Sequence, residues 1–288
     1  MTTTSVGIVG LGLIGGSLGL SLRAQGREVI GIAQREETCQ LALARGVVDV
    51  ASTQLSRLAS AAVIFICTPI PAIAPTVKQL VPHLAPTTIL TDVASVKQPI
   101  LTAIAPLWDN FVGGHPMAGT AAQGITAAQA DLFVGAPYVL TPEPQTPAAS
   151  VAQVAALIES LGARLAYCSA ADHDRAVAWI SHLPLFASAT LIAACEAEPE
   201  ATVLALARQF ASSGFRDTSR VGGGNPALGE AIARANREEL LRVLYRYRQT
   251  LDGAIAQIEA ADWAGLEQWL TATARARPDY LQTNPDSP

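Results

Sequence analysis

Lysine occurs only twice in this chain of 288 residues, at Lys78 and Lys97, cysteine four times, and charged residues make up 15% of it, against roughly 25% in ordinary soluble proteins. With half of all residues hydrophobic, so little charge excludes intrinsic disorder as the overall state. The net charge of −5 is spread without a basic stripe, which argues against nucleic acid or anionic lipid as the main partner. Small anionic ligands must then be met by individually placed arginines. Cys39, Cys67, Cys168 and Cys195 stand singly, with no CxxC pair and no histidine at zinc-ligand spacing. Neither a disulfide framework nor a metal site is indicated, and a reducing, cytoplasmic setting is expected. No basic start followed by an apolar run and a cleavage site opens the chain, so no secretory address is expected. Ala176 to Cys195 lacks Asp, Glu, Lys and Arg but carries Ser181, His182, Pro184, Ser188 and Thr190. A buried or subunit-contact helix is expected there in preference to a membrane span.

Up to about residue 170 short β-branched runs alternate with longer helical stretches. The runs are Val6 to Val9, Val29 to Ile32, Ala62 to Cys67, Thr88 to Asp92, Phe111 to Gly114, Tyr138 to Thr141 and Arg164 to Cys168. They are continuously apolar, as strands covered on both faces should be. Ser17 to Gln25, Glu36 to Arg45 and Ile73 to Leu84 read as crossover helices, which predicts an α/β fold with a doubly wound, Rossmann-type parallel sheet. From Asp172 onward the β-branched runs vanish. Val203 to Phe210, Leu228 to Ala256 and Trp263 to Ala276 have helical spacing, with glycine breaks at 213–214 and 222–226. The expected organisation is a dinucleotide-binding domain over residues 1–170 and an all-helical substrate and dimerisation domain over 171–288. The apolar surplus of the helical half predicts a homodimer.

The first chemical motif is Gly10-Leu11-Gly12-Leu13-Ile14-Gly15, directly after one apolar run and directly before a helix. Glycines there permit a tight turn and close backbone approach, and the helix start offers free N–H groups and a positive dipole to a pyrophosphate. An NAD enzyme places Asp or Glu at the end of the second strand, against the ribose 2′-hydroxyl. Here that tip reads Ala33-Gln34-Arg35, with no acid. Gln34 and Arg35, with Thr38 as a further donor, can take a 2′-phosphate, so NADP is favoured over NAD. The other reading of Arg35, beside Glu36 and Glu37, is a solvated helix-start residue.

Three further strand ends should face the nicotinamide crevice. Cys67, Thr68 and Pro69 can line the cofactor, and Ser95 can reach the reacting atoms or simply cap a helix. At the third end, Gly113-Gly114-His115-Pro116 places a histidine on what reads as a rigid, exposed turn. An imidazole titrating near 6.5 suits a general base for a hydroxyl that loses its proton during hydride transfer.

Together with TDVASVK (Thr91 to Lys97), GGHPMAGT (Gly113 to Thr120), LFVGAPYVLTP (Leu132 to Pro142), the DHD and SHLP pieces between Asp172 and Pro184, and SGFRDTSR (Ser213 to Arg220), the glycine loop GLGLIGGSLG makes the chain resemble the prephenate and arogenate dehydrogenases of tyrosine biosynthesis, especially the short cyanobacterial arogenate type. The resemblance covers nearly the whole chain. It implies oxidative decarboxylation of a cyclohexadienyl ring, arogenate above prephenate, with a small-molecule substrate and no nucleic-acid or membrane partner. His115 would accept the 4-hydroxyl proton, and Ser95 would hydrogen-bond that hydroxyl or hold the imidazole. Arg220 would bind the ring carboxylate, with His182 and Arg216 in supporting places. Without the resemblance Arg220 reads as a surface salt-bridge residue. Many relatives read SHLPH where this chain has Leu185 after Pro184, which fits a different substrate side chain. A β-hydroxyacid dehydrogenase generally relies on a lysine in its helical half, and both lysines here lie in the first half. A nonenzymatic dinucleotide sensor would have no reason to bring Ser95 and His115 together.

Overall fold

The computed structural model describes residues 5–120 and 122–281. In chain order these build β1 (Val6–Val9), α1 (Leu13–Ala24), β2 (Val29–Ile32), α2 (Glu36–Ala44), β3 (Val50–Ser52), β4 (Val63–Ile66), α3 (Ile73–Leu80), β5 (Ile89–Asp92), α4 (Gln98–Ile104), β6 (Phe111–Pro116), β7 (Pro137–Thr141), α5 (Ala148–Ser160) and β8 (Arg164–Tyr167). Helices follow: α6 (Ala170–Val177), α7 (Leu183–Glu196), α8 (Ala201–Phe210), α9 (Ser213–Ser219), α10 (Pro226–Ala235), α11 (Arg237–Glu259) and α12 (Trp263–Tyr280). The chain divides into two compact units, Met1–Arg237 and Glu238–Pro288.

The strands form one eight-stranded sheet in the order β3-β2-β1-β4-β5-β6-β7-β8. Strands β1 to β6 are parallel, and the order reverses direction between β1 and β4, the switch point at which such sheets bind ligands. Successive side chains of a strand face opposite ways. Ile8 and Phe65 therefore pack with Leu18, Leu22 and Ile158 on one face, and Val9, Ile64 and Ile66 with Ile73, Val77 and Leu80 on the other. Two covered faces account for the unbroken runs in β1, β2, β4, β5 and β6; the edge strand β8, expected to be covered as well, is instead exposed at Arg164, Ala166 and Tyr167.

Three sequence expectations are corrected. The sheet is not wholly parallel: β7 runs antiparallel to β6, and β8 follows β7. Among the described residues the connection between β6 and β7 holds turns, one of them a 3-10 turn at Ile125–Ala127, and not the crossover helix that a parallel return usually takes. Strand β3 was not expected; its three half-buried residues pair only with β2. The single helix expected over Leu228 to Ala256 is broken at Asn236, whose buried side chain turns inward to donate to the Asp174 carbonyl.

The apolar segment Ala176 to Cys195 lies in a continuous helical stretch, Ala170–Glu196, that is long and apolar enough to cross a membrane by length and composition alone. Within it a π-turn, Ala178–His182, joins α6 to α7. Two of its polar groups face protein: Ser188 Oγ accepts the Gly222 N–H at 2.8 Å, and the His182 side chain is fully buried; Thr190 is exposed and donates to the Phe186 carbonyl of its own helix. Elsewhere α8 exposes Val203, Leu206 and Phe210, and α12 exposes Trp263, Trp269 and Leu270.

Candidate active site

The glycine loop leaves β1 at the switch point. Gly10 has φ of +99°, and a Cβ there would lie 2.6 Å from the Cys67 carbonyl oxygen, so only glycine lets the loop and the end of β4 approach. A Cβ on Gly15 would collide with the Gly10 carbonyl, whereas one on Gly12 would meet nothing within 4 Å. Gly12 is the N-cap of α1, no side chain caps that helix, and no acid stands in its first turn. The first helical hydrogen bond runs from Gly16 N–H to Gly12 O, leaving the N–H groups of Leu13, Ile14 and Gly15 without intrahelical acceptors. Open space beside a dipole-positive, uncapped helix start fits a dinucleotide pyrophosphate. At the tip of β2, Ala33 is buried while Gln34 and Arg35 are exposed; Arg35 is the backbone N-cap of α2, and Thr38 is half-buried.

His115 is not on an exposed turn. It is the fifth residue of β6, 7% exposed, paired across the ladder with Val139. Its Nδ1 is 2.8 Å from His173 Nε2, and His173 Nδ1 is 2.8 Å from Asp174 Oδ1. Asp174 in turn accepts the N–H groups of Lys97 at 2.7 Å and Gln98 at 2.9 Å, at the start of α4. Beneath this chain the fully buried Lys97 ammonium pairs with the fully buried Asp92 carboxylate and donates to the Gly114 carbonyl at 2.6 Å. Asp92 also accepts the N–H groups of Ala94 and Gly114. Removing either charge would strand the other in a dry interior, at a cost of about 3–5 kcal/mol. Burial, with His173, Lys97 and His182 adding to it, holds the His115 pKa well below the ordinary histidine value, so the ring is neutral.

His182, at the end of the π-turn, has Nδ1 3.2 Å from Asn236 Nδ2. Burial pulls its pKa down to about 4, against smaller upward pulls from Asp174 and from the Ser95 backbone. Its Nε2 and the Ser95 hydroxyl are buried with no hydrogen-bond partner among the described residues. Ser95 caps no helix; the N-cap of α4 is Lys97. Arg216 and Arg220 are not joined to this network. Arg216 is exposed and pairs with Asp217 at 3.1 Å, and Arg220 is exposed at the end of α9. The turn after Arg220 is nevertheless tied by Gly222 to Ser188, on the helix that follows His182. His173, Asp174, Asp92, Lys97 and Asn236 were not singled out as site residues from sequence, although DHD and TDVASVK contain four of them.

Residues 18–167 match the family model described as the prephenate dehydrogenase nucleotide-binding domain, and residues 169–272 the one described as its dimerization domain. The chain belongs to the prephenate dehydrogenase family. It is 32% identical over 281 residues to the prephenate dehydrogenase of Bacillus subtilis (strain 168), covering 95% of this chain and 75% of that one. Among solved structures it resembles Synechocystis arogenate dehydrogenase, with 51% identity, a TM-score of 0.85 and coverage of 96% of this chain and 100% of that one. It also resembles an A. aeolicus prephenate dehydrogenase solved with hydroxyphenyl propionate and NAD+, with 25% identity, a TM-score of 0.91 and coverage of 97% and 99%. Family membership makes the protein a dehydrogenase of tyrosine biosynthesis that uses a pyridine nucleotide.

Two outcomes follow for this family member. Gly12→Ala should keep its fold stability within about 1 kcal/mol in urea unfolding but lose dinucleotide affinity, because the new methyl enters only the ligand's space; Gly15→Ala should lose about 1–3 kcal/mol of stability as well. The reverse ranking would reject the cofactor site. Between about pH 6.5 and about pH 4, folded His182 binds less proton than unfolded His182. Stability is therefore complete above that window and falls as pH drops through it, by on the order of 3 kcal/mol for this one group. His182→Gln should flatten the urea midpoint across the window, and an unchanged slope would contradict the assignment.

Proposed function

We propose that the protein converts L-arogenate to L-tyrosine by oxidative decarboxylation, with NADP as hydride acceptor. The observation that carries this reading is His115: a buried, neutral imidazole at the carboxyl end of β6, in the same row of strand ends as the open glycine loop. Likeness to the Synechocystis enzyme and the apolar Leu185 after Pro184 support arogenate over prephenate. The acid-free tip of β2 with Gln34, Arg35 and Thr38 supports NADP over NAD. The bound nicotinamide would take the hydride from the ring carbon that carries the 4-hydroxyl.

In this reading His115 Nε2, the nitrogen turned away from His173, accepts the hydroxyl proton as that oxygen becomes a carbonyl. The bond to the ring carboxylate then breaks, carbon dioxide leaves, its electron pair enters the ring, and His115 returns the proton to the resulting phenolate oxygen. Ser95, with a buried and unspent hydroxyl, holds the same oxygen. His182 offers its Nε2 to the substrate. Arg220 binds the ring carboxylate, with Arg216 in support, and Cys67, Thr68 and Pro69 line the nicotinamide pocket. Residues 1–170 serve as the dinucleotide-binding half and 171–288 as the helical substrate and dimerisation half of a cytoplasmic homodimer. The match to the dimerization domain and the exposed Val203, Leu206 and Phe210 support that assembly.

Supplying arogenate and then prephenate, each with NADP and NAD, and following absorbance of the reduced nicotinamide should give the highest kcat/KM for arogenate with NADP; equal values for both substrates would remove the arogenate assignment. His115→Gln should lower turnover by about 10²–10⁴-fold with dinucleotide affinity unchanged. Arg220→Gln should raise the half-saturating arogenate concentration by about tenfold or more, the weight of a lost charge-assisted pair, and an unchanged value would reject its role.

A further inference from the structure

Hydrogen placement in the site follows from groups whose donor or acceptor character is not negotiable. The N–H groups of Lys97 and Gln98 can only donate, and they occupy both oxygens of the buried Asp174 carboxylate. The carboxylate is therefore an acceptor, and the His173 Nδ1 that lies 2.8 Å from Oδ1 carries a hydrogen. A neutral His173 has one N–H, so its Nε2 is bare. That bare nitrogen lies 2.8 Å from His115 Nδ1, which must then carry the hydrogen, leaving the neutral ring's Nε2 without one. The backbone carbonyl of the same residue settles the other histidine. Asp174 O can only accept, so the Asn236 atom 2.8 Å away is the amide nitrogen. This nitrogen also faces His182 Nδ1, which must accept, and a neutral His182 then carries its hydrogen on Nε2.

We propose that Asp174 is a positioning residue that sets opposite tautomers in two histidines at once: its carboxylate, through His173, leaves His115 Nε2 a bare acceptor, and its carbonyl, through Asn236, makes His182 Nε2 a donor. Neither histidine needs a charge for this. A hydroxyl proton meets a lone pair at His115, and an anionic or carbonyl group of the substrate meets an N–H at His182. The partners come from β6, from α6 and the π-turn after it, and from the break between α10 and α11, so the arrangement holds only when these elements are docked together. Its consequence for turnover rests on the dehydrogenase reading above; the proton placement itself does not.

The test is nitrogen-15 NMR of the full-length protein with labelled histidine at about pH 8, above the ordinary histidine range; the chain's four histidines keep the spectrum assignable. Hydrogen on Nδ1 of His115 and His173 and on Nε2 of His182 is expected, and hydrogen on Nε2 of His115, or a doubly protonated His173, overturns the proposal. Kinetics separate positioning from packing. His173→Phe fills the ring's volume without an acceptor and should lower kcat by about 10²–10⁴-fold, whereas His173→Gln, whose amide oxygen can accept from His115 Nδ1, should recover at least about tenfold of that loss with KM for the dinucleotide unchanged in both. A Phe variant as active as the Gln variant, or more so, also overturns it. If the wild-type tautomers are as stated but neither arogenate nor prephenate is turned over, the dehydrogenase reading fails and the proton placement stands.

Discussion

An anion removed from water must be surrounded by donors that cannot swing away, and two such anions organise this molecule. Asp92 and Asp174 are buried, and each is held by backbone N–H groups as well as by a side chain. Asp92 ties the end of β5 to Gly114 in β6 and to Lys97 just before α4. Asp174 ties α6 to the start of that same helix. Because Gly114 precedes His115 and Asp174 follows His173, the two carboxylates together fix the strand and the helix whose imidazoles meet at 2.8 Å. Loosening either anion would displace the ring on which the proposed chemistry depends.

Placement of that ring relative to the glycine loop is a matter of sheet order. With β1, β4, β5 and β6 adjacent and parallel, their carboxyl ends lie in a row: Gly10 to Gly15 after β1, Cys67 to Pro69 after β4, Val93 to Lys97 after β5, and His115 near the end of β6. The reversal to β7 then lays Tyr138 and Val139 alongside Pro116 and His115, covering the edge of the row. Burial, with the neighbouring His173, Lys97 and His182, holds His115 neutral, the state that its proposed role as proton acceptor requires.

Much of this is legible in the amino-acid sequence. Runs without polar–apolar alternation marked seven of the eight strands; covering both faces explains the signal in β1, β2, β4, β5 and β6, whereas β8 carries such a run although it is largely exposed. The glycine loop was legible because its requirements, a positive φ at Gly10 and a close approach at Gly15, are met by one residue type. Less legible was His115, whose flanking glycines and proline suggest an exposed turn; in the fold those glycines let β6 pass close to Thr141 and Asp92. His173 and Asp174 were hidden in a polar helix start. Asp172 and Asp174 look equivalent in the string DHD, yet Asp172 is exposed and bonded to Ser169, the helix cap, while Asp174 is buried.

The amino-acid order on its own determined the class of sheet, the glycine loop, the helical second half and the family resemblance, because each is written in local spacing and periodicity. Tertiary structure alone decided which imidazole faces which partner. His115 and His173 are 58 residues apart in the chain, and Asp174 and Asn236 are 62 apart. No local pattern encodes such a pairing; it arises when buried donors and acceptors from separate elements have only each other to satisfy them.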